Sequence, residues 1–140
     1  MNYKELYNKS IANPEQFWLE QSKEIDWYHQ PENILSTFKN YPLWYSDGEL
    51  NACYLAVDKH IEDGFGDQKA IIYDSPVTQT VKHYTFNEVK VEVAKLAGGL
   101  LSLGLKKGDT AVIYMPMIPQ AVFAMLACAR IGVTHSVVFG

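Results

Sequence analysis

Thr110-Ala111-Val112-Ile113-Tyr114-Met115 is an almost uninterrupted apolar run, and Pro116-Met117-Ile118-Pro119 closes it. A helical stretch follows from about Ile118 to Ile131, Gly132 ends it, and Val133 to Phe139 is a second apolar run. Proline pre-sets the first helical turn, and glycine supplies the left-handed stop. Strand, helix, strand at this spacing is a βαβ crossover and implies a parallel sheet. Apolar runs of this kind suit strands covered on both faces, which requires further strands and a second layer of helices. Residues 51–140 are therefore expected either to pair with a second copy of the chain or to be an incomplete part of a larger α/β domain.

Upstream, Thr85-Phe86-Asn87-Glu88 is a capping box, in which threonine and glutamate satisfy the orphan amides at a helix start. Phe86, Val89, Val93, Leu96, Ala97 and Leu100 then mark one helical face, and Gly104 is placed to close the helix. The runs Lys69 to Tyr73 and Val81 to Thr85, separated by Asp74-Ser75-Pro76-Val77-Thr78, fit a β-hairpin. From Asn51 to Asp63, Cys53, Ala56, Val57, His60 and Ile61 recur at helical spacing, and Gly64 supplies the stop. Residues 1–50 read as a leader arm. Tyr3 to Ser10 and Pro14 to Lys23 are short helices, the second capped by Asn13. An extended region punctuated by Pro31, Pro42 and Ser46-Asp47-Gly48 follows, and Trp44 and Tyr45 are expected to anchor onto a core built elsewhere.

The 140 residues are 48% hydrophobic, 20% charged and 13% aromatic, the composition of an ordinary water-soluble globular chain. Twelve basic against sixteen acidic residues give a net charge of −4, which argues against a nucleic-acid partner. Met1 to Ser10 lacks the apolar run of a secretory signal, and Ala121 to Ala129 is too short to cross a bilayer. No membrane partner is expected. Cys53 and Cys128 have neither CxxC spacing nor a disulfide framework, and read as buried thiols in a reducing cytoplasm.

Little in the residues alone points to chemistry. His29, His60, His83 and His135 show no zinc-binding spacing. His135 draws notice as lying near the C-terminal end of a parallel strand, where open α/β sheets place ligands, although packing accounts for it more simply. Gly64-Phe65-Gly66 and Gly98-Gly99 lack the strand-to-helix context of a phosphate loop. The one clear strand-to-helix turn, Tyr114 to Pro119, has no glycine and two prolines. Ser136 lacks the glycines of a nucleophile elbow, and Lys106-Lys107 reads as a solvated turn.

Tyr114-Met115-Pro116-Met117-Ile118-Pro119, Met125 to Gly132, and His135-Ser136-Val137-Val138-Phe139-Gly140 together closely resemble acetyl- and propionyl-CoA synthetases of the acyl-adenylate-forming superfamily. Pro14-Glu15-Gln16-Phe17-Trp18, Ile25-Asp26-Trp27, Trp44-Tyr45, Asp47-Gly48, Leu103-Gly104 and Lys107-Gly108-Asp109 extend the resemblance over essentially the whole chain. The start at Met1-Asn2 and the segment Tyr7-Asn8-Lys9-Ser10-Ile11 look more like the propionyl-CoA synthetases.

The resemblance implies a ligase that uses ATP, Mg²⁺ and coenzyme A to convert propionate or acetate into acyl-CoA, AMP and pyrophosphate through an acyl-adenylate. It implies a coenzyme A contact at Phe139 and Gly140, an aromatic face for adenine and a glycine allowing close backbone approach. The family's phosphate loop, adenine and metal motif, ribose-binding aspartate and lid lysine are absent from these residues. The chain is accordingly expected to be an N-terminal fragment, inactive alone, with no catalytic or metal-binding residue of its own. The alternative is a non-catalytic binding or assembly module that pairs its open sheet with another copy. Even as a fragment, the chain is expected to self-associate through that unpaired edge.

Overall fold

A computed structural model describes residues 2–139; Gly140 and the Phe139 side chain lie outside that description. The chain divides into residues 1–50 and residues 51–140.

In the first unit, α1 spans Tyr3–Ala12 and α2 spans Pro14–Ser22. Asn2 Oδ1 accepts from the Glu5 amide at 3.0 Å, and Glu5 Oε2 accepts from the Asn2 amide at 3.1 Å. This capping box sits one residue before the expected helix. Asn13 ends one helix and starts the next: its amide donates to the Lys9 carbonyl, and its side chain accepts from the Gln16 amide at 3.3 Å.

β1 (Leu35–Phe38) and β2 (Tyr41–Trp44) then form an antiparallel hairpin where sequence reading expected an extended region. Lys39 and Asn40 both take positive φ, 49° and 67°, as a two-residue turn compatible with strand twist requires. Neither is glycine, so the usual turn signature is missing. Pro42 is tolerated because β2 has a free edge. Trp44 and Tyr45 have aromatic and hydrogen-bond partners within the same unit. Trp44 meets Trp18 with ring centroids 6.1 Å apart, Tyr45 meets Trp27 at 5.4 Å, and the Tyr45 hydroxyl donates to the Trp18 carbonyl at 3.1 Å.

Asp47 ties the hairpin's exit to the segment before it, accepting from the Glu32 and Asn33 amides at 3.1 Å and from Asn33 Nδ2 at 2.9 Å. Partial desolvation pushes the Asp47 carboxyl up, but these hydrogen bonds outweigh it and hold it below its ordinary 3.8. A carboxyl depressed in the folded state contributes stability that is present above pH 3.8 and is lost as pH falls below it. Asp47→Asn should therefore lower the neutral-pH midpoint of tryptophan-detected unfolding and flatten its acid limb, the two proteins converging as pH falls below 3.8.

In the second unit, residues 52–65 are helical as expected, but the winding is wide over Tyr54–Asp58 and Ile61–Phe65, with i→i+5 geometry. Gly64 breaks the helix with φ +88°. β3 (Lys69–Ser75) and β4 (Thr80–Thr85) form the anticipated hairpin, β3 running two residues further than expected. α3 spans Phe86–Ser102, and both bonds of its capping box are present: Glu88 N to Thr85 Oγ1 at 3.2 Å and Thr85 N to Glu88 Oε2 at 2.8 Å. β5 (Thr110–Met115), α4 (Pro119–Ile131) and β6 (Thr134–Phe139) complete the βαβ unit, with the strands parallel from Thr110↔Thr134 to Met115↔Phe139.

The core lies between the helices and one face of the strands. Val89, Val93 and Ala97 of α3 pack with Phe123 and Ala127 of α4, Tyr84 of β4, and Cys53 and Val57 of the wide helix. A second cluster joins Ile113, Ala124, Cys128 and Val133. Among the described residues the parallel strands are covered on one face only. Ile113 is buried, whereas Val112 and Tyr114 are 68% and 72% exposed. α3 and α4 pack on the same side, so the alternate residues face outward. An apolar face left open is what an incomplete part of a larger α/β domain presents. Among the described residues, no helix is long and apolar enough to cross a membrane.

Candidate functional site

The C-terminal ends of β5 and β6 form the part of this fold where parallel sheets place ligands. Met115 and Phe139 are the last register pair. The chain leaves β5 through Pro116 to Ile118, whose amide donates to the Pro116 carbonyl at 2.8 Å. Ile118 is extended and offers no side-chain cap, and Pro119 opens α4. The turn thus has the prolines seen in sequence and lacks a glycine cradle for phosphate. Beside it a cleft of about 450 Å³ is lined by Leu96, Met115 and Phe123, with Glu92, Lys95 and Gln120 contributing the polar atoms. Glu92 and Lys95 pair with each other at 2.9 Å.

Phe139 is the last residue of β6 by backbone, and Gly140 lies outside the described residues. His135 stands elsewhere: it is the second residue of β6, opposite Ala111, at the N-terminal rather than the C-terminal end of the strand. The placement inferred from sequence is thereby corrected, and the packing account remains.

Glycines that invite a phosphate reading have local explanations. The Gly66 carbonyl accepts from the Asn87 amide at 3.0 Å, and a Cβ at Gly66 would come within 2.7 Å of the Asn87 side chain. Gly98 and Gly99 lie inside α3. In the Lys106-Lys107 turn, the Lys106 amide donates to Asp109 at 2.9 Å. The Lys107 stem lies where a Cβ on Gly132 would come within 2.8 Å, at a residue already held at φ +73°.

At the C-terminal end of α4, a polar cluster that sequence reading did not single out fixes the helix. Asp58, buried on the first wide turn, accepts from Arg130 Nη2 at 2.5 Å and from Lys90 Nζ at 3.0 Å. Asn51 donates to the Ala129 and Arg130 carbonyls at 3.3 and 3.0 Å, and its Oδ1 accepts from the Cys53 and Tyr54 amides. One asparagine thus caps two helix ends of opposite sense. The available signal was a charge, Asp58, set within an apolar helical face, and an arginine ending an apolar helix. Burial pushes the Cys53 thiol up, with the Arg130 guanidinium opposing it, and burial likewise raises Cys128. Both thiols are buried and unbridged, which suits packing rather than nucleophilic chemistry.

Among the described residues, no three histidine, cysteine, aspartate or glutamate side chains are grouped to hold a metal ion.

Comparison with known proteins gives the arrangement its setting. The family model described as "Acetyl-coenzyme A synthetase N-terminus" matches residues 3–56, and the model described as "AMP-binding enzyme" matches residues 59–140. The mitochondrial acyl-CoA synthetase short-chain family member 3 of Homo sapiens is 54% identical over 140 residues, covering 99% of this chain and 20% of its own length. An acetyl-coenzyme A synthetase of Bradyrhizobium is 46% identical over 141 residues, covering 98% of this chain and 22% of its own length. The solved acetoacetyl-CoA synthetase of Streptomyces lividans superposes with a TM-score of 0.85 at 26% identity, covering 99% of this chain and 22% of that one. The chain spans about a fifth of the length of the curated relatives it matches. With one model on its first unit and the other on most of its second, the chain belongs to the AMP-binding enzyme family and corresponds to the N-terminal part of its acyl-CoA synthetases.

Proposed function

We propose that these residues are the N-terminal part of an AMP-forming short-chain acyl-CoA synthetase. A carboxylate oxygen attacks the α-phosphorus of ATP and expels pyrophosphate; the thiol of coenzyme A then attacks the acyl carbon, and AMP leaves. The observation that carries this reading is similarity over nearly the whole chain to two differently named acyl-CoA synthetases, at 54% and 46% identity. Propionate is placed ahead of acetate. The segment Tyr7 to Ile11, which looks more like the propionyl-CoA synthetases, supports this order. The buried thiols support a reducing compartment, and we place the protein in the cytoplasm.

In this reading residues 2–139 supply scaffold rather than catalytic groups. ATP and Mg²⁺ are held by residues outside them, and the 140-residue chain alone is inactive. Phe139, the last residue of β6, and Gly140 meet the adenine end of coenzyme A. The two half-reactions allow a clean test, because the first does not use coenzyme A. In the product of the full reading frame, Phe139→Ala should raise KM for coenzyme A about tenfold, the scale of losing one aromatic–base stack. Carboxylate-dependent ATP–pyrophosphate exchange should stay unchanged. An unchanged KM for coenzyme A in a variant that keeps exchange would remove Phe139 from the coenzyme A site.

A further inference from the structure

Trp18, Gln21 and Ser22 lie on one stripe of α2, and Ile25 extends that stripe past the helix end. Trp44 and Tyr45 stand opposite, and the two walls enclose a groove of about 400 Å³. The Trp18 and Trp44 rings already meet edge to face, 6.1 Å apart, so a ligand has their outer faces to lie on rather than a slot between them. Each of the two is 41% exposed. Further rings hold the walls in place: Phe17 meets Trp18 at 5.1 Å, and Tyr45 meets Trp27 at 5.4 Å and Trp44 at 6.1 Å. The Tyr45 hydroxyl ties one wall to the other by donating to the Trp18 carbonyl at 3.1 Å. A groove braced in this way keeps its shape when empty, which lowers the ordering cost of binding.

The polar inventory of the lining decides what fits. No lining residue is charged. Ser22 Oγ is used twice, donating to the Leu19 carbonyl at 2.9 Å and accepting from Gln30 Nε2 at 3.2 Å. Trp27, behind Tyr45, spends its indole N–H on the Ser22 carbonyl at 2.8 Å. Among the described residues, the indole N–H groups of Trp18 and Trp44 and the side-chain amide of Gln21 have no partner within the chain. An indole N–H donates and cannot accept. The groove therefore presents flat apolar faces and spare donors, without charge.

We propose that this groove docks an uncharged proline-rich segment of a partner polypeptide in the polyproline II conformation. Proline answers each feature of the lining. Its ring lies flat on aromatic faces, its residue brings a carbonyl acceptor without an N–H, and the preformed helix loses little freedom on docking. The chain's own Pro116-Met117-Ile118-Pro119 is no substitute, because the Ile118 amide closes it into a turn on the Pro116 carbonyl at 2.8 Å. A second copy is thereby disfavoured as the occupant. The inference rests on residues 17–45 and does not depend on the reaction proposed above.

The test uses the product of the full reading frame, so that the groove is examined in the whole protein. A fluorescently labelled peptide of Pro-Pro-Leu repeats is titrated and its anisotropy followed, with a control peptide in which alanine replaces every proline. The proposal expects saturable binding of the proline peptide only, little changed by salt because no charge pair is formed. Trp44→Leu should weaken binding about tenfold or more, the scale of losing an aromatic anchor. Gln21→Glu, at an exposed position, replaces a spare donor with an acceptor and should weaken binding about threefold with an unchanged circular dichroism spectrum. The proposal is overturned by equal binding of the two peptides, by absence of saturable binding, by steep salt dependence, or by Gln21→Glu and Trp44→Leu both binding as tightly as the parent. A dimer that the peptide dissolves would also overturn it, by making a second copy the occupant.

Discussion

Phe123→Ala is expected to destabilise the second unit by about 3–5 kcal/mol, the range for emptying a buried phenylalanine site. Phe123 is buried, and its ring meets Tyr84 edge-on, with centroids 5.3 Å apart and planes at 80°. It joins α4 to the β3–β4 hairpin through that ring and to α3 through the cluster of Val89, Val93 and Ala97. Truncation would remove the aromatic contact and leave a void among helices with little freedom to close it. With a total stability of roughly 5–15 kcal/mol for a domain of this kind, the loss is a large share of the whole. Urea unfolding followed by far-ultraviolet circular dichroism should show the midpoint falling by roughly 2 M. Phe123→Leu should fall much less, because most of the volume is retained. Equal effects from the two substitutions would show that packing at this site is not what holds α4 in place.

Asp58→Ala is the second large effect, at about 2–3 kcal/mol. Asp58 is nearly fully buried and balances Arg130 and Lys90, whose side chains are a quarter and nearly half exposed. Removing the carboxylate leaves Arg130 to reach water from a partly buried position, with its Nε already lacking a hydrogen-bond partner. The full penalty of an orphaned buried charge is therefore reduced, which places the estimate toward the lower end. The ordering of variants is the more telling outcome. Replacing Asp58 by Ala and Arg130 by Met together should be less harmful than Asp58→Ala alone, because no charge is then stranded. If the double variant is worse by the sum of the singles, the ion pair is not coupled in the manner described.

These two residues also show what could and could not be read from sequence. Phe123 lies in an apolar helix between two apolar strands, and that pattern was sufficient to place the βαβ unit with its strands parallel. Thr85 and Glu88 announced α3 because a capping box is local chemistry, independent of the rest of the fold. Asp58 was hidden because its partners Lys90 and Arg130 lie 32 and 72 residues away, and no periodicity reports such a pairing. The wide winding of residues 52–65 was equally hidden, since its apolar positions also fit an ordinary helix. The β1–β2 hairpin escaped notice because Lys39-Asn40 adopts a turn that glycine usually announces.

The strand β5 was placed correctly, and its open face has a different origin. An apolar run indicates what the complete fold covers, and Val112 and Tyr114 record a covering layer that residues 2–139 do not supply. Of the candidate site, the backbone end of β6 was legible and His135 was misplaced along its strand. The chemical reading came from resemblance at the level of whole segments. No single residue among those described carries it.

The central claim is that this chain is the N-terminal part of an enzyme whose catalytic groups lie outside it. Carboxylate-dependent ATP–pyrophosphate exchange tests it most directly. The product of the full reading frame would be compared with the 140-residue chain, using propionate, acetate and butyrate. The account predicts exchange by the longer protein alone, fastest with propionate. Absence of exchange with all three carboxylates, or exchange by the 140-residue chain itself, would contradict it.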